Sequence, residues 1–142
     1  MSSVFYINNV MRLKLYIKES TESGRLTHEI QDLKQRWFVY SYLKNTEKNW
    51  LDTGPVLAVE TTVDINTTEK SIYLNRQDAK RRGKGYGLEA MEFILKLAKK
   101  KGFKTAKGYV EHINAAPLSM LKKLGFKETE NTVSGRYFYK KL

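Results

Sequence analysis

Residues 81–100 read Arg81-Arg82-Gly83-Lys84-Gly85-Tyr86-Gly87-Leu88-Glu89-Ala90-Met91-Glu92-Phe93-Ile94-Leu95-Lys96-Leu97-Ala98-Lys99-Lys100, and this stretch decides the fold. From Tyr86 onward Leu88, Met91, Ile94, Leu95 and Ala98 recur at helical spacing, Lys96, Lys99 and Lys100 take the opposite face, and Gly102 supplies the stop. The spacing predicts a helix. Three glycines within five residues precede it. Glycine permits positive φ and lets backbone N–H groups approach a ligand with no Cβ in the way, and a helix start adds partial positive charge. Arg82 and Lys84 add full charges, so the turn reads as an anion cradle.

Downstream of this helix, residues 105–111 predict a strand, and residues 114–124 a second helix with Pro117 tolerated in its first turn and Gly125 ending it. Residues 136–140 close the chain as a last strand. Upstream, residues 37–43 and 55–65 are aromatic and β-branched and predict an antiparallel hairpin across a long loop. A turn at 66–70 then leads to a strand at 71–76, so three antiparallel strands feed the glycine turn. Further back, Leu13, Leu15 and Ile17 alternate with basic residues as a first strand, a polar Ser/Thr/Glu/Gly connection follows, and Leu26, Ile30 and Leu33 predict a short helix ending near Gln35. The order β-α-β-β-β-α-β-α-β is α+β, with a mixed, mostly antiparallel sheet flanked by helices.

With 142 residues, 41% hydrophobic and 29% charged, the chain suits one domain spanning 1–142 and is not compositionally disordered. Its longest apolar runs are four residues, against the roughly 20 a membrane helix needs, and its opening residues lack a secretory pattern. A cytoplasmic protein without membrane attachment is expected. Zero cysteines leave no disulfide framework, zinc ribbon or thiol nucleophile, and two histidines far apart in sequence give no metal-site pattern. The net charge of +11 is uneven. Residues 1–79 are neutral overall and residues 80–142 carry all the excess, which points to an anionic partner: nucleic acid, a phosphorylated cofactor or an acidic protein segment.

Gly85-Tyr86-Gly87-Leu88-Glu89-Ala90 satisfies the dinucleotide pattern G-x-G-x-x-A, but it does not directly follow a first strand, and too few residues remain beyond it for a parallel sheet. The phosphate loop G-x-x-x-x-G-K-[ST] and the elbow G-x-S-x-G are absent. Arg82-Gly83-Lys84-Gly85-Tyr86-Gly87 fits R-x-x-G-x-G. Joined to Asn114 and to Leu118-Ser119-Met120-Leu121-Lys122-Lys123-Leu124-Gly125-Phe126, it resembles the GNAT superfamily of N-acetyltransferases over about residues 71–130. The resemblance implies acetyl-CoA as donor, with no metal, and direct acetyl transfer to an amine without a covalent enzyme intermediate. It places the pyrophosphate on the amides of Arg82, Gly83, Lys84, Gly85, Tyr86 and Gly87. The pantetheine would lie along the preceding strand near Asn75 and Gln77, in contact with Asn114.

The acceptor amine must lose a proton, and negative charge building on the acetyl oxygen needs a preorganised donor. Backbone N–H groups near residues 75–78 are candidate donors. Glu60, Asp78, Glu111 and His112 are candidate bases, with Glu111 first because it ends the strand facing the cofactor helix, and Asn114 is a further candidate catalytic residue. Many family members carry a tyrosine four residues before the Gly-Phe pair as acid for the leaving thiolate. Leu121 stands there in this chain, which leaves Tyr137, Tyr139, Ser119 or solvent for that role.

Two other readings compete with an acetyltransferase acting on a small-molecule or peptide amine. One is a basic nucleic-acid-binding module in which Phe126, Tyr137, Phe138 and Tyr139 stack on bases. The other is a GNAT-like protein that binds CoA without turnover. The basic half disfavours strongly cationic acceptors, and exposed edge strands in such a sheet permit a homodimer.

Overall fold

The structure, a computed structural model, describes residues 17–44, 54–81, 83–112 and 115–142. Its elements are β1 (Ile17–Ser23), β2 (Leu26–Asp32), β3 (Arg36–Leu43), β4 (Leu57–Asn66), β5 (Ser71–Ala79), α1 (Tyr86–Lys100), β6 (Thr105–Glu111), α2 (Ala115–Lys123), β7 (Lys127–Asn131) and β8 (Gly135–Lys141). The strands form one eight-stranded sheet in the order β1-β2-β3-β4-β5-β6-β8-β7. Every neighbouring pair is antiparallel except β5–β6, which α1 joins as a crossover. The α+β architecture predicted from the sequence is present.

Burial alternates along the strands. Trp37, Val39, Ser41 and Leu43 of β3 and Val59, Thr61, Val63 and Ile65 of β4 point to one face. Ala90, Met91, Phe93, Ile94, Leu95 and Ala98 of α1 cover that face, and Leu121 of α2 joins the same core with Ala106, Val110 and Phe138. Both described helices therefore lie on one side of the sheet. Among the described residues no helix is long and apolar enough to cross a membrane.

The helix predicted from Leu26 to Gln35 is a strand. Leu26, His28 and Ile30 are all fully buried, a period of two, while Thr27, Glu29 and Gln31 turn the other way. The four-residue spacing of Leu26 and Ile30 suits either period, and a buried histidine between them hid the alternation. Leu33, taken as the helix's last apolar contact, is 39% exposed in the β2–β3 turn. Likewise, the polar connection is mostly β1, an edge strand paired with β2 from Ile17 to Ser23. Of the first predicted strand, residues 13–16 lie outside the described residues. The sequence also gave no sign of β7, Lys-Glu-Thr-Glu-Asn, which is exposed throughout and has no apolar face to show a pattern.

At Gly135 the sheet closes tightly over a side chain. A Cβ there would stand 2.5 Å from the Val110 carbonyl oxygen and 2.6 Å from Cζ and the hydroxyl of Tyr109. Since the carbonyl belongs to the β6 backbone, Gly135→Ala is expected to cost about 1–3 kcal/mol in urea unfolding, by overpacking. An unchanged midpoint would contradict this tight approach.

Candidate functional site

β5 and β6 pair only where residues 71–74 meet residues 105–108. Beyond Leu74, β5 continues to Ala79 and β6 to Glu111 with no ladder between them. The cause lies on the other edge of β5. Val63 pairs with Leu74 and Thr62 with Arg76, so Asn75 is an extra residue and β5 bulges there. A bulge bends its strand and increases local twist. The two strands consequently splay at their carboxyl ends, where open α/β sheets carry their ligand crevices.

The gap is a cleft of about 400 Å³ that runs through the sheet. On the helix side its walls are Leu74, Met91, Val110, Pro117, Met120 and Leu121, with the side-chain-free Gly108 between them. On the opposite face the mouth is polar, formed by Tyr73, Asn75, Arg76, Tyr109 and Glu111. Burial, then the neighbouring Tyr137, Asp64 and Tyr109, hold the Tyr73 phenol above its ordinary pKa of 10.0, so it is neutral near pH 7.

At the start of α1, Gly83 and Gly85 have φ of 75° and 80°, a left-handed conformation that disfavours residues with a Cβ. Gly85 is the N-cap and no side chain caps the helix. The acid of the first turn, Glu89, is turned away: its carboxylate accepts from the Arg25 backbone N–H at 2.8 Å and from Arg25 Nε at 3.1 Å. Arg25 in turn lies over the Tyr86 ring, 4.5 Å from its centroid. No side chain therefore caps the first-turn amides, and exposed Lys84 and Arg81 stand beside the positive end of the helix dipole. Gln77 ties this turn to the cleft. Its Nε2 donates to the Gly87 carbonyl at 3.2 Å and to Thr61 Oγ1 at 3.4 Å. A Cβ on Gly87 would stand 2.7 Å from Gln77 Oε1, so a larger residue there would displace the Gln77 amide.

The structure brings together Asn75, Gln77 and Glu111 on the cleft, with Gly83, Lys84, Gly85, Tyr86 and Gly87 on the turn that Gln77 joins to it. Arg82 and Asn114 lie outside the described residues. The Asn75 and Gln77 side chains have structural partners already: Asn75 Nδ2 donates to Asp64 Oδ2 at 2.6 Å, and Gln77 holds Gly87. Asp64 also accepts from Arg36 Nε at 2.7 Å. Burial pushes the Asp64 carboxyl up, but these two hydrogen bonds and the guanidinium charge outweigh it and leave its pKa below 3.8.

The other candidate bases stand away from the cleft. Glu60 and Asp78 face each other across β4–β5 in a separate hollow with Phe38, Tyr40 and Arg76. Lys80 Nζ stands 2.6 Å from Asp78 Oδ2 and 3.6 Å from Glu60 Oε2. His112 Nε2 is 2.7 Å from the Thr132 carbonyl and its backbone N–H donates to that of Ser134, so it braces the β7–β8 turn. Tyr137, Tyr139 and Ser119 are not among the cleft's lining residues, and Leu121 fills the space beside Gly108. The bulge at Asn75, the Arg25–Glu89 pair and the tyrosines of the polar mouth escaped sequence reasoning. Gly108 did leave a signal, because an isolated glycine inside a strand marks a close approach.

No family model matches the sequence, and no curated protein matches it. Solved structures do. The PaiA N-acetyltransferase from Thermoplasma acidophilum, in complex with coenzyme A, superposes with a TM-score of 0.62 at 22% identity, over 76% of this chain and 62% of that protein. This chain thus spans under two thirds of its length. The N-acetyltransferase PseH from Campylobacter jejuni gives 0.62 at 21% identity, over 76% of this chain and 69% of that one. An acetyltransferase from Bacillus subtilis in complex with CoA gives 0.59 at 16% identity, over 78% and 80%. At these identities the likeness is one of fold, and the fold is that of the GNAT-type acetyltransferases.

Proposed function

We propose that this chain is an acetyl-CoA-dependent N-acetyltransferase that moves the acetyl group directly to a primary amine. The observation that carries the reading is the splay between β5 and β6, which leads from an apolar wall to an uncapped, glycine-lined helix start. An anion cradle next to an apolar slot suits a ligand with a diphosphate at one end and an extended, mostly uncharged arm at the other. The neighbours of the same fold that hold coenzyme A support it. Acetyl-CoA supplies an acetyl group activated as a thioester.

In this reading the first-turn amides of α1, with Lys84 and Arg81, hold the diphosphate. Leu74, Met91, Val110 and Met120 exclude water along the arm, which strengthens polar interactions at the slot's end. From Asn75 onward the β6-facing backbone groups of β5 have no strand partner, and an N–H there donates to the acetyl oxygen as charge builds on it. The amine enters from the polar mouth on the opposite face, where Glu111 takes its proton, directly or through water. Leu121 carries no proton to give where many family members have a tyrosine, and solvent protonates the departing thiolate. A chain without cysteines working on a thioester is in keeping with a cytoplasmic setting.

Release of free thiol from acetyl-CoA, followed across a panel of primary amines and with tertiary amines as controls, tests the activity. Thiol release that needs a primary amine is expected, and none with any amine would overturn it. Glu111→Gln is expected to lower kcat by roughly tenfold to a hundredfold at pH 7, leaving the KM for acetyl-CoA unchanged. That deficit should shrink as rising pH frees the amine without help. A kcat equal to wild type at neutral pH would remove Glu111 from the role.

A further inference from the structure

The sheet face opposite α1 and α2 carries more aromatic surface than the cleft uses. Register sets Tyr73, Lys107, Tyr139 and Lys127 side by side across β5, β6, β8 and β7, and Tyr109 next to Tyr137 in the adjoining row. Tyr137 and Tyr139 are 42% and 37% exposed, and only Leu33 and Val133 join them as exposed large hydrophobics among the described residues. Phe126 and Phe138, which the sequence grouped with these tyrosines, are buried in the core under the helices and take no part. The Tyr109 and Tyr137 rings stand 4.8 Å apart at 53°, and Tyr109 leans over the bare backbone of Gly135. Scattered surface aromatics need no explanation. Four tyrosines in two adjoining rows, with Lys107 in register between Tyr73 and Tyr139 and Lys127 on the far side of Tyr139, do.

We propose that this face binds single-stranded nucleic acid, with bases stacked on Tyr137 and Tyr139 and backbone phosphates met by Lys107, Lys127 and Lys141. The pairing of chemistries selects the occupant. Every base offers a flat π-face to an exposed ring, and every linkage offers a charge to a lysine, at spacings a strand lattice repeats. Charge alone would equally suit a duplex, but a duplex keeps its bases stacked inside and would leave the tyrosines idle. An acidic peptide would use the lysines but not four rings. The surface is not basic overall: Lys107 Nζ is 3.4 Å from Glu69 Oε1, Glu130 stands opposite Tyr137, and on the same face Asp64 neighbours Tyr73 and Glu111 shares the cleft mouth with Tyr109. Binding therefore depends on the rings as well as on charge. The proposal goes beyond acetyl transfer and holds whether or not that activity is present.

Fluorescence anisotropy with a fluorescein-labelled 12-nucleotide oligouridine, with and without acetyl-CoA, tests it. The single strand is expected to bind about tenfold more tightly than a duplex of equal length. Tyr137→Ala and Tyr139→Ala should each weaken it about tenfold, with Tyr→Phe at either position restoring affinity. Lys107→Gln and Lys127→Gln should each reduce the salt slope by roughly 0.7. Absence of binding would overturn the proposal. So would equal affinity for duplex with no loss in the alanine variants, or displacement by polyglutamate that is indifferent to the tyrosines. Thermal melts accompany each variant, and the lysine slopes decide the matter if an alanine variant fails to fold.

Discussion

Gly85→Val is expected to abolish most of the stabilisation that acetyl-CoA confers. Gly85 holds φ of 80° as the N-cap of α1, a conformation costly for any residue with a Cβ and most costly for a β-branched one. Relief of that strain rotates the peptide units whose N–H groups form the cradle. Loss of one or two charge-assisted hydrogen bonds is worth about 3 kcal/mol, a hundredfold in affinity. Ligand at 100 times its dissociation constant stabilises wild type by about 2.7 kcal/mol, roughly 10 °C for a chain this long. At the same concentration the variant would gain about 0.4 kcal/mol, a shift of one or two degrees. Its melting point without ligand separates loss of binding from loss of fold, and an undiminished ligand shift in the variant would move the diphosphate off this turn.

The second large effect concerns stability in acid. His28 is fully buried, its ring stacked on Phe93 with centroids 4.0 Å apart and planes 8° apart. Its Nδ1 is 2.8 Å from Ser41 Oγ and its Nε2 is 2.5 Å from Ser23 Oγ, partners that satisfy a neutral imidazole. Burial lowers its pKa from 6.5 to about 4, with Glu89 opposing and Lys44 reinforcing the shift. The unfolded chain thus binds a proton in a range where the folded one does not. The stability due to neutral His28 is fully present above pH 6.5 and is lost as pH falls toward 4, by roughly 3 kcal/mol. Asp64 acts in a lower window, because its depressed pKa makes its contribution fade only below about 3.8. Urea unfolding at pH 7, 5.5 and 4.5 checks the difference. A His28→Gln variant should be less stable at pH 7 yet much flatter across this range, and equal pH dependence in both proteins would refute the assignment.

The parts of the fold legible in the sequence are those set by local rules. The α1 stripe of Met91, Ile94, Leu95 and Ala98 repeats at 3.6 residues over about two turns, and the glycines before it have few other uses. β3, β4, β5, β6 and β8 follow from aromatic and β-branched runs. Where two periods fit, the reading failed: Leu26 and Ile30 suit helix and strand alike, and only long-range pairing with β3 decides between them. β7 has no apolar residue at all and exists because β8 offers it an edge. The candidate site divides in the same way. The anion cradle is local in sequence and was visible. The cleft arises from a cross-strand offset at Asn75 and from Gln77 reaching Gly87, neither of which a linear pattern encodes. Charge counted along the chain also does not place charge in space, since Glu60 and Asp78 are brought face to face only by the pairing of β4 with β5.

Amide chemical-shift mapping by ¹⁵N–¹H correlation spectra during an acetyl-CoA titration tests the central claim most directly, because it reports where the ligand lies whether or not turnover occurs. Binding in the β5–β6 cleft predicts the largest changes at Arg76, Gln77, Gly85, Tyr86, Gly87 and Gly108, saturating together with one dissociation constant. Spectra unchanged at millimolar acetyl-CoA, or changes confined to residues away from the cleft and the glycine turn, would contradict it.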